Sequence, residues 1–209
     1  MDERVILGAE CLAEGMVWLS ERDVKMAEAY ALTGPLPLRL KPDGFGALLS
    51  AIVSQQVSVA SARAIWDRLG EAGCGRPEAV DRLSEDALRA LGLSRQKAAY
   101  AKALAGARID YEALRALPSA DVIRILTAVK GIGLWTAEIY AMFSLGRADV
   151  FAHGDLALQE AARVLYGLKA RPGAAEMRAM AAHWAPWRAV AARLLWAYYK
   201  EIKDREGSL

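Results

Sequence analysis

Apolar residues recur along this chain at three- and four-residue intervals, and no segment sustains an apolar–polar alternation. Phe45, Leu48, Leu49, Ile52 and Val53 form one such stripe, and Ala62, Ile65, Trp66 and Leu69 form the next. That period belongs to helices packed by one face, not to strands. Start signals divide the stripes into separate helices. Ser20-Glu21-Arg22-Asp23 reads as a capping box opening a helix to about Leu32, which Thr33-Gly34-Pro35 then stops. Helices follow from Asp43 or Gly44, after Ser58, at Pro77, after Ser84, and from Ser94 to Gly106. Two short ones lie near 111–117 and 119–128. Later helices run from Asp155 to about Leu165, from Pro172 to His183 and from Pro186 to Lys203. Residues 1–19 carry no clear period. The expected fold is all-α, without repeats or low-complexity segments.

Composition narrows the class. The 209 residues are 55% hydrophobic and 25% charged, enough for a substantial core in one or two compact domains. No apolar run reaches the length of a membrane span. The opening MDERVILGAE lacks the basic-then-apolar layout of a signal peptide. Cys11 and Cys74 make no CxxC pair or Cys/His ligand set. The expectation is a cytoplasmic protein with reduced thiols, no membrane association and no structural metal cage. A net charge of +2 requires any positive surface to be local.

The richest chemistry lies in LTAVKGIGLWTA, residues 126–137. A helix ends, Gly131-Ile132-Gly133 turns, and a second helix runs from Leu134 to Phe143. The glycines allow left-handed or close-approach backbone, and Ile132 can peg the turn to the core. The N–H groups left at the second helix start suit an anion, and Lys130 adds a point charge. A lone GxG would be an ordinary turn. The full string, however, resembles the helix-hairpin-helix motif of DNA repair glycosylases.

Three further segments carry the same resemblance. Val150-Phe151-Ala152-His153-Gly154-Asp155 is a loop that opens a helix. An Asp there is ordinarily an N-cap, and capping is compatible with catalysis because a helix N-terminus favours negative charge. In the family, the catalytic aspartate falls on Asp155. The segment FGALLSAIVSQQVSVASARAIWDRL is similar to one in glycosylases that remove alkylated bases. Two amides at a helix end would otherwise be caps. The resemblance instead places Gln55 and Gln56 in the DNA minor groove, with Gln56 filling the space of the extruded base. Trp184, Pro186, Trp187, Arg188 and Trp196 match the family's closing helix, where the last Trp lines the base pocket. Gly92-Leu93-Ser94-Arg95, with Lys97 and Tyr100, matches a fourth segment, read as a capped helix with a solvated basic face and phosphate contact as its alternative.

The chain thus resembles DNA-3-methyladenine glycosylase II over roughly residues 45–196. The resemblance implies a helix-hairpin-helix glycosylase fold with two helical subdomains flanking an active-site cleft and no N-terminal β-domain. One subdomain is expected at about 45–145, including the hairpin, and the other at 1–44 plus 146–209. It implies a base pocket of Trp135, Trp196, Phe45, Ile139 and Leu156. DNA contacts fall on Gln55, Gln56, Lys130, Gly131, Ile132, Gly133 and Thr136. The carbonyls of Thr127, Val129 and Ile132 are expected to accept a structural Na⁺ or K⁺, with no cofactor required.

Position 135 separates two subclasses. Strand-cutting relatives carry a Schiff-base lysine two places after the second hairpin glycine, and Trp135 stands there. The expectation is a monomeric, monofunctional glycosylase acting on double-stranded DNA that contains alkylated purines. A glycosylase of the same fold for mismatched or oxidised bases, and a non-catalytic DNA-binding module, remain alternatives.

Overall fold

The computed structural model of the protein describes residues 3–206, with side chains as far as Asp204. It is helical as expected. Among the described residues the extended pairing is one antiparallel bridge, Val5 with Arg147. The helices are α1 (Ala9–Arg22), α2 (Val24–Thr33), α3 (Phe45–Ser54), α4 (Val59–Glu71), α5 (Pro77–Arg82), α6 (Glu85–Ala90) and α7 (Arg95–Gly106). They continue as α8 (Tyr111–Ala116), α9 (Ser119–Thr127), α10 (Leu134–Phe143), α11 (Leu156–Leu165), α12 (Ala174–Ala181) and α13 (Arg188–Glu206), with a 3₁₀ turn at Ala182–Trp184. None is long and apolar enough to cross a membrane.

The chain divides into two compact units, Met1–Leu40 with Ala141–Leu209, and Lys41–Tyr140. In the first, α13 packs on α1, α2 and α11. Its inward face is Ala-rich, so neighbouring helices come close. At Gly15 of α1 an added Cβ would fall 2.8 Å from Trp187 and Val190, so side-chain volume is excluded there. In the second unit α7 is the central packing surface, contacting α3, α5 and α6. Leu104 and Ala101 of α7 are buried, as are Leu48, Leu49 and Ile52 of α3.

Two local expectations change. The early helix does not begin at Ser20. Residues 9–22 form α1, burying Leu12, Met16 and Leu19, and Ser20 lies in its last turn. Asp23 then caps α2 by accepting from the N–H groups of Lys25 and Met26. Ser20 loses because α1 buries an apolar stripe across it, whereas the Asp23 carboxylate meets two orphan donors directly. On α4, Ala62, Ile65 and Leu69 are buried, but Trp66 is only half-buried.

Candidate active site and DNA-contact elements

Asp155 is the N-cap of α11. Its Oδ1 accepts from the N–H groups of Ala157 at 2.9 Å and Leu158 at 3.1 Å. The same oxygen accepts from the indole N–H of Trp196 at 3.2 Å. Three donors on one oxygen fix the carboxylate plane, so capping and orientation are one arrangement. The loop before it is rigid for identifiable reasons. Val150, Phe151 and Ala152 are buried, and Phe151 packs its ring against Trp184, centroids 5.4 Å apart. Gln159 reaches back to donate to the His153 carbonyl at 3.0 Å. Arg188, first residue of α13, clamps Asp149 with two 2.7 Å hydrogen bonds. The neighbouring Ala189 N–H donates to the Ala148 carbonyl at 2.8 Å.

Trp196 is half-buried, unlike Trp184 and Trp187, which are core. Behind it stands Phe143, centroids 5.7 Å apart, and the Arg193 guanidinium lies 4.5 Å over the Phe143 ring. Arg193 is buried and donates to the carbonyls of Ala189 and Met142. Burial, with Arg39 nearby, lowers its pKa to about 10, so it stays charged at neutral pH. Leu156, beside Asp155, is exposed. Nothing in the sequence marked Arg193 or the Trp196–Asp155 bond, because partners 41 residues apart leave no local pattern.

In the other unit, α10 carries Trp135 half-exposed and, one turn on, Ile139 half-buried. The i, i+4 spacing puts both on one face. Phe45 opens α3 at 5% exposure.

The hairpin turn is real, but its glycines are unequal. Gly131 has φ +97°, and a Cβ there would meet the Tyr100 ring at 2.4 Å. Gly133 has no positive φ and nothing within 4 Å of its would-be Cβ. The fold itself therefore demands glycine at 131 and not at 133. Ile132 is buried as the expected peg, and its N–H closes the turn on the Val129 carbonyl at 3.0 Å. Lys130 is exposed. Thr136 is buried at 8%, and its main-chain N–H stands in the first turn of α10.

Gln56 is exposed with φ +53°, a left-handed conformation that non-glycine residues seldom adopt. Gln55 is half-buried and donates its side-chain amide to the Gly131 carbonyl at 3.1 Å. The fourth segment departs from its expected reading. Ser94 does cap α7, but Lys97 is buried rather than solvated, and its Nζ donates to the Val53 carbonyl at 2.7 Å. Burial pushes the Lys97 ammonium pKa down, and the carbonyl end of α3 offsets part of that cost. Gln55, Gln56, Lys97, Tyr100, Gly131 and Gly133 border one groove of about 540 Å³.

Comparison with known proteins agrees with this fold. A model of HhH-GPD superfamily base excision DNA repair proteins matches residues 49–187. A putative DNA-3-methyladenine glycosylase of Bacillus subtilis is 29% identical over 173 residues, which span 77% of this chain and 60% of that relative. The crystal structure of a Bacillus halodurans DNA-3-methyladenine glycosidase superposes with a TM-score of 0.82 at 33% identity, covering 98% of this chain and 95% of that one. A Schizosaccharomyces pombe 3-methyladenine DNA glycosylase in complex with abasic DNA superposes with a TM-score of 0.75 at 30% identity, covering 88% and 95%.

Proposed function

This chain belongs to the HhH-GPD superfamily of base excision DNA repair proteins and is a DNA glycosylase of its alkylbase type, and we propose that it is monofunctional. It hydrolyses the N-glycosidic bond of purines such as N3-methyladenine and N7-methylguanine in double-stranded DNA, acting as a monomer. The observation that carries this reading is Asp155, a carboxylate fixed by two backbone donors and one indole. Phosphate binding alone has no use for it.

An N3- or N7-alkylated purine is cationic and already a good leaving group, so protonation contributes little. The protein must extrude the nucleotide, hold the base and stabilise an oxocarbenium-like sugar while water attacks C1′. Asp155 supplies negative charge for that sugar and orients the water. An indole face, Trp196 or Trp135, stacks on the cationic base, worth roughly 0.5–2 kcal/mol beyond neutral stacking. Gln56 enters the duplex. Main-chain N–H groups from the Gly131–Gly133 turn to Thr136 grip the phosphate, with Lys130 adding charge. With Trp135 where an imine-forming lysine would stand, no covalent route to strand cleavage runs through that position.

A monovalent cation belongs to this reading. The carbonyls of Thr127, Val129 and Ile132 are neutral oxygens, a donor set suited to Na⁺ or K⁺ rather than to a thiophilic metal. Val129 would use its second lone pair, since the first accepts from Ile132. Such an ion would supply local positive charge beside the phosphate.

The test is base release from oligonucleotides carrying N3-methyladenine, N7-methylguanine, hypoxanthine, 8-oxoguanine or mismatches. Release of the methylated purines far faster than of hypoxanthine or mismatched bases, with the strand intact, is expected. Release confined to mismatched or oxidised bases would overturn the proposal.

A further inference from the structure

Three of the segments singled out in the sequence are tied together through one face of α7. The Lys97 ammonium holds the carbonyl of Val53, two residues before Gln55. The Gln55 N–H closes α3 on Ile52 at 3.3 Å, and its side-chain amide spans to the Gly131 carbonyl. Gly131 packs against the Tyr100 side chain, close enough to exclude a Cβ. The Tyr100 hydroxyl in turn accepts from Gln96 at 2.6 Å, which fixes the ring. Gln56, the residue after this bracket, is held exposed in a left-handed conformation. Such a conformation costs on the order of 1 kcal/mol or more and persists only where the surroundings over-determine it.

Packing alone does not account for Lys97. A methionine would fill the same space without desolvating a charge. What only the ammonium adds is a direct bond to the end of α3, next to the loop that carries Gln56.

We propose that Lys97 and Tyr100 are positioning residues that set the Gln56 loop and the Gly131–Gly133 turn at a fixed separation. The side chain that enters the duplex and the turn that grips phosphate then engage DNA as one rigid element. The inference rests on the roles assigned above to Gln56 and the hairpin. Its consequence is specific. Loosening the bracket slows extrusion of a paired base, because the wedge is no longer aimed when the phosphate is gripped, while the phosphate-driven affinity survives.

The test compares wild type with Lys97→Met. On N7-methylguanine paired in a duplex, single-turnover excision falls by about tenfold or more, as loss of a hydrogen bond from a charged donor entails. With the same lesion in an unpaired bubble, extrusion is already done, and the loss shrinks below about threefold. A third probe needs no chemistry: a duplex with a tetrahydrofuran abasic analogue facing 2-aminopurine. Wild type raises its fluorescence on binding; Lys97→Met does not, though its affinity for undamaged duplex stays within about threefold. Equal losses on paired and bubble substrates, an undiminished fluorescence rise in the variant, or no rise with wild type would each overturn the inference. If wild type excises from neither substrate, the glycosylase reading fails and the fluorescence still decides this one. Should Lys97→Met melt below the assay temperature, Tyr100→Leu carries the comparison with the same expected outcomes.

Discussion

The indole N–H of Trp196 donates to Oδ1 of Asp155 at 3.2 Å. The residue expected to stack on the base therefore also orients the carboxylate expected to act on the sugar. This coupling changes what each substitution tests.

Asp155→Asn keeps a good N-cap, since Asn accepts from the same backbone donors. Its melting temperature should stay close to wild type. Excision should fall by at least ~3 kcal/mol, on the order of 10²-fold, because the negative charge is gone. Single-turnover kinetics on N7-methylguanine, read beside a thermal melt and a duplex-binding titration, check it. Near-normal excision by the folded variant would remove Asp155 from the mechanism.

Trp196→Phe keeps a ring but loses the N–H to Asp155 and the stronger π-face. Two effects should separate by substrate. All lesions should lose a common factor of about tenfold from the freed carboxylate. Cationic N3-methyladenine should lose a further few-fold relative to neutral hypoxanthine, from weaker cation–π stacking of about 0.5–2 kcal/mol. Excision ratios for the two bases, measured on both proteins, decide it. A common loss with an unchanged ratio would leave Trp196 a positioning residue only.

The hairpin glycines should part company. Gly131→Ala combines φ +97° with a Cβ 2.4 Å from the Tyr100 ring. It should cost roughly 1–3 kcal/mol and lower the melting temperature by about 2–12 °C. At Gly133 an added Cβ has nothing within 4 Å, and Gly133→Val should melt near wild type. It should nevertheless weaken binding to undamaged duplex of any sequence, since it blocks backbone approach to phosphate. Calorimetry and anisotropy at one fixed salt concentration separate the two. Wild-type affinity in Gly133→Val would mean that the hairpin is not the anchor.

Borohydride should trap no covalent adduct between the wild-type protein and damaged DNA. Trp135→Lys should not gain efficient strand cleavage either. An imine-forming lysine must shed its proton, which burial promotes, and position 135 is 49% exposed. A trapped wild-type adduct would refute the monofunctional proposal.

Helix starts were readable along the chain because a cap is a bargain struck within three residues. Ser58, Ser84, Ser94 and Asp155 each accept from a backbone N–H two or three places on. The all-α class followed from a period, and the family, which the comparisons bear out, from four separated motifs. Ser20 misled because its capping pattern is equally local, while α1 is stabilised by burying Leu12, Met16 and Leu19 against distant partners. The same limit hid the rest. Whether Lys97 faces solvent or the end of α3 depends on a carbonyl 44 residues away. Whether Gly131 or Gly133 is required depends on where the Tyr100 ring lies. That Asp155 is gripped by Trp196 depends on α11 and α13 packing together. Sequence alone determined most of the helices after Asp43 and the residue types that open them, because those follow from neighbours. Tertiary structure decided what each of those residues touches, because burial and orientation are set by chain segments that meet only when the core closes.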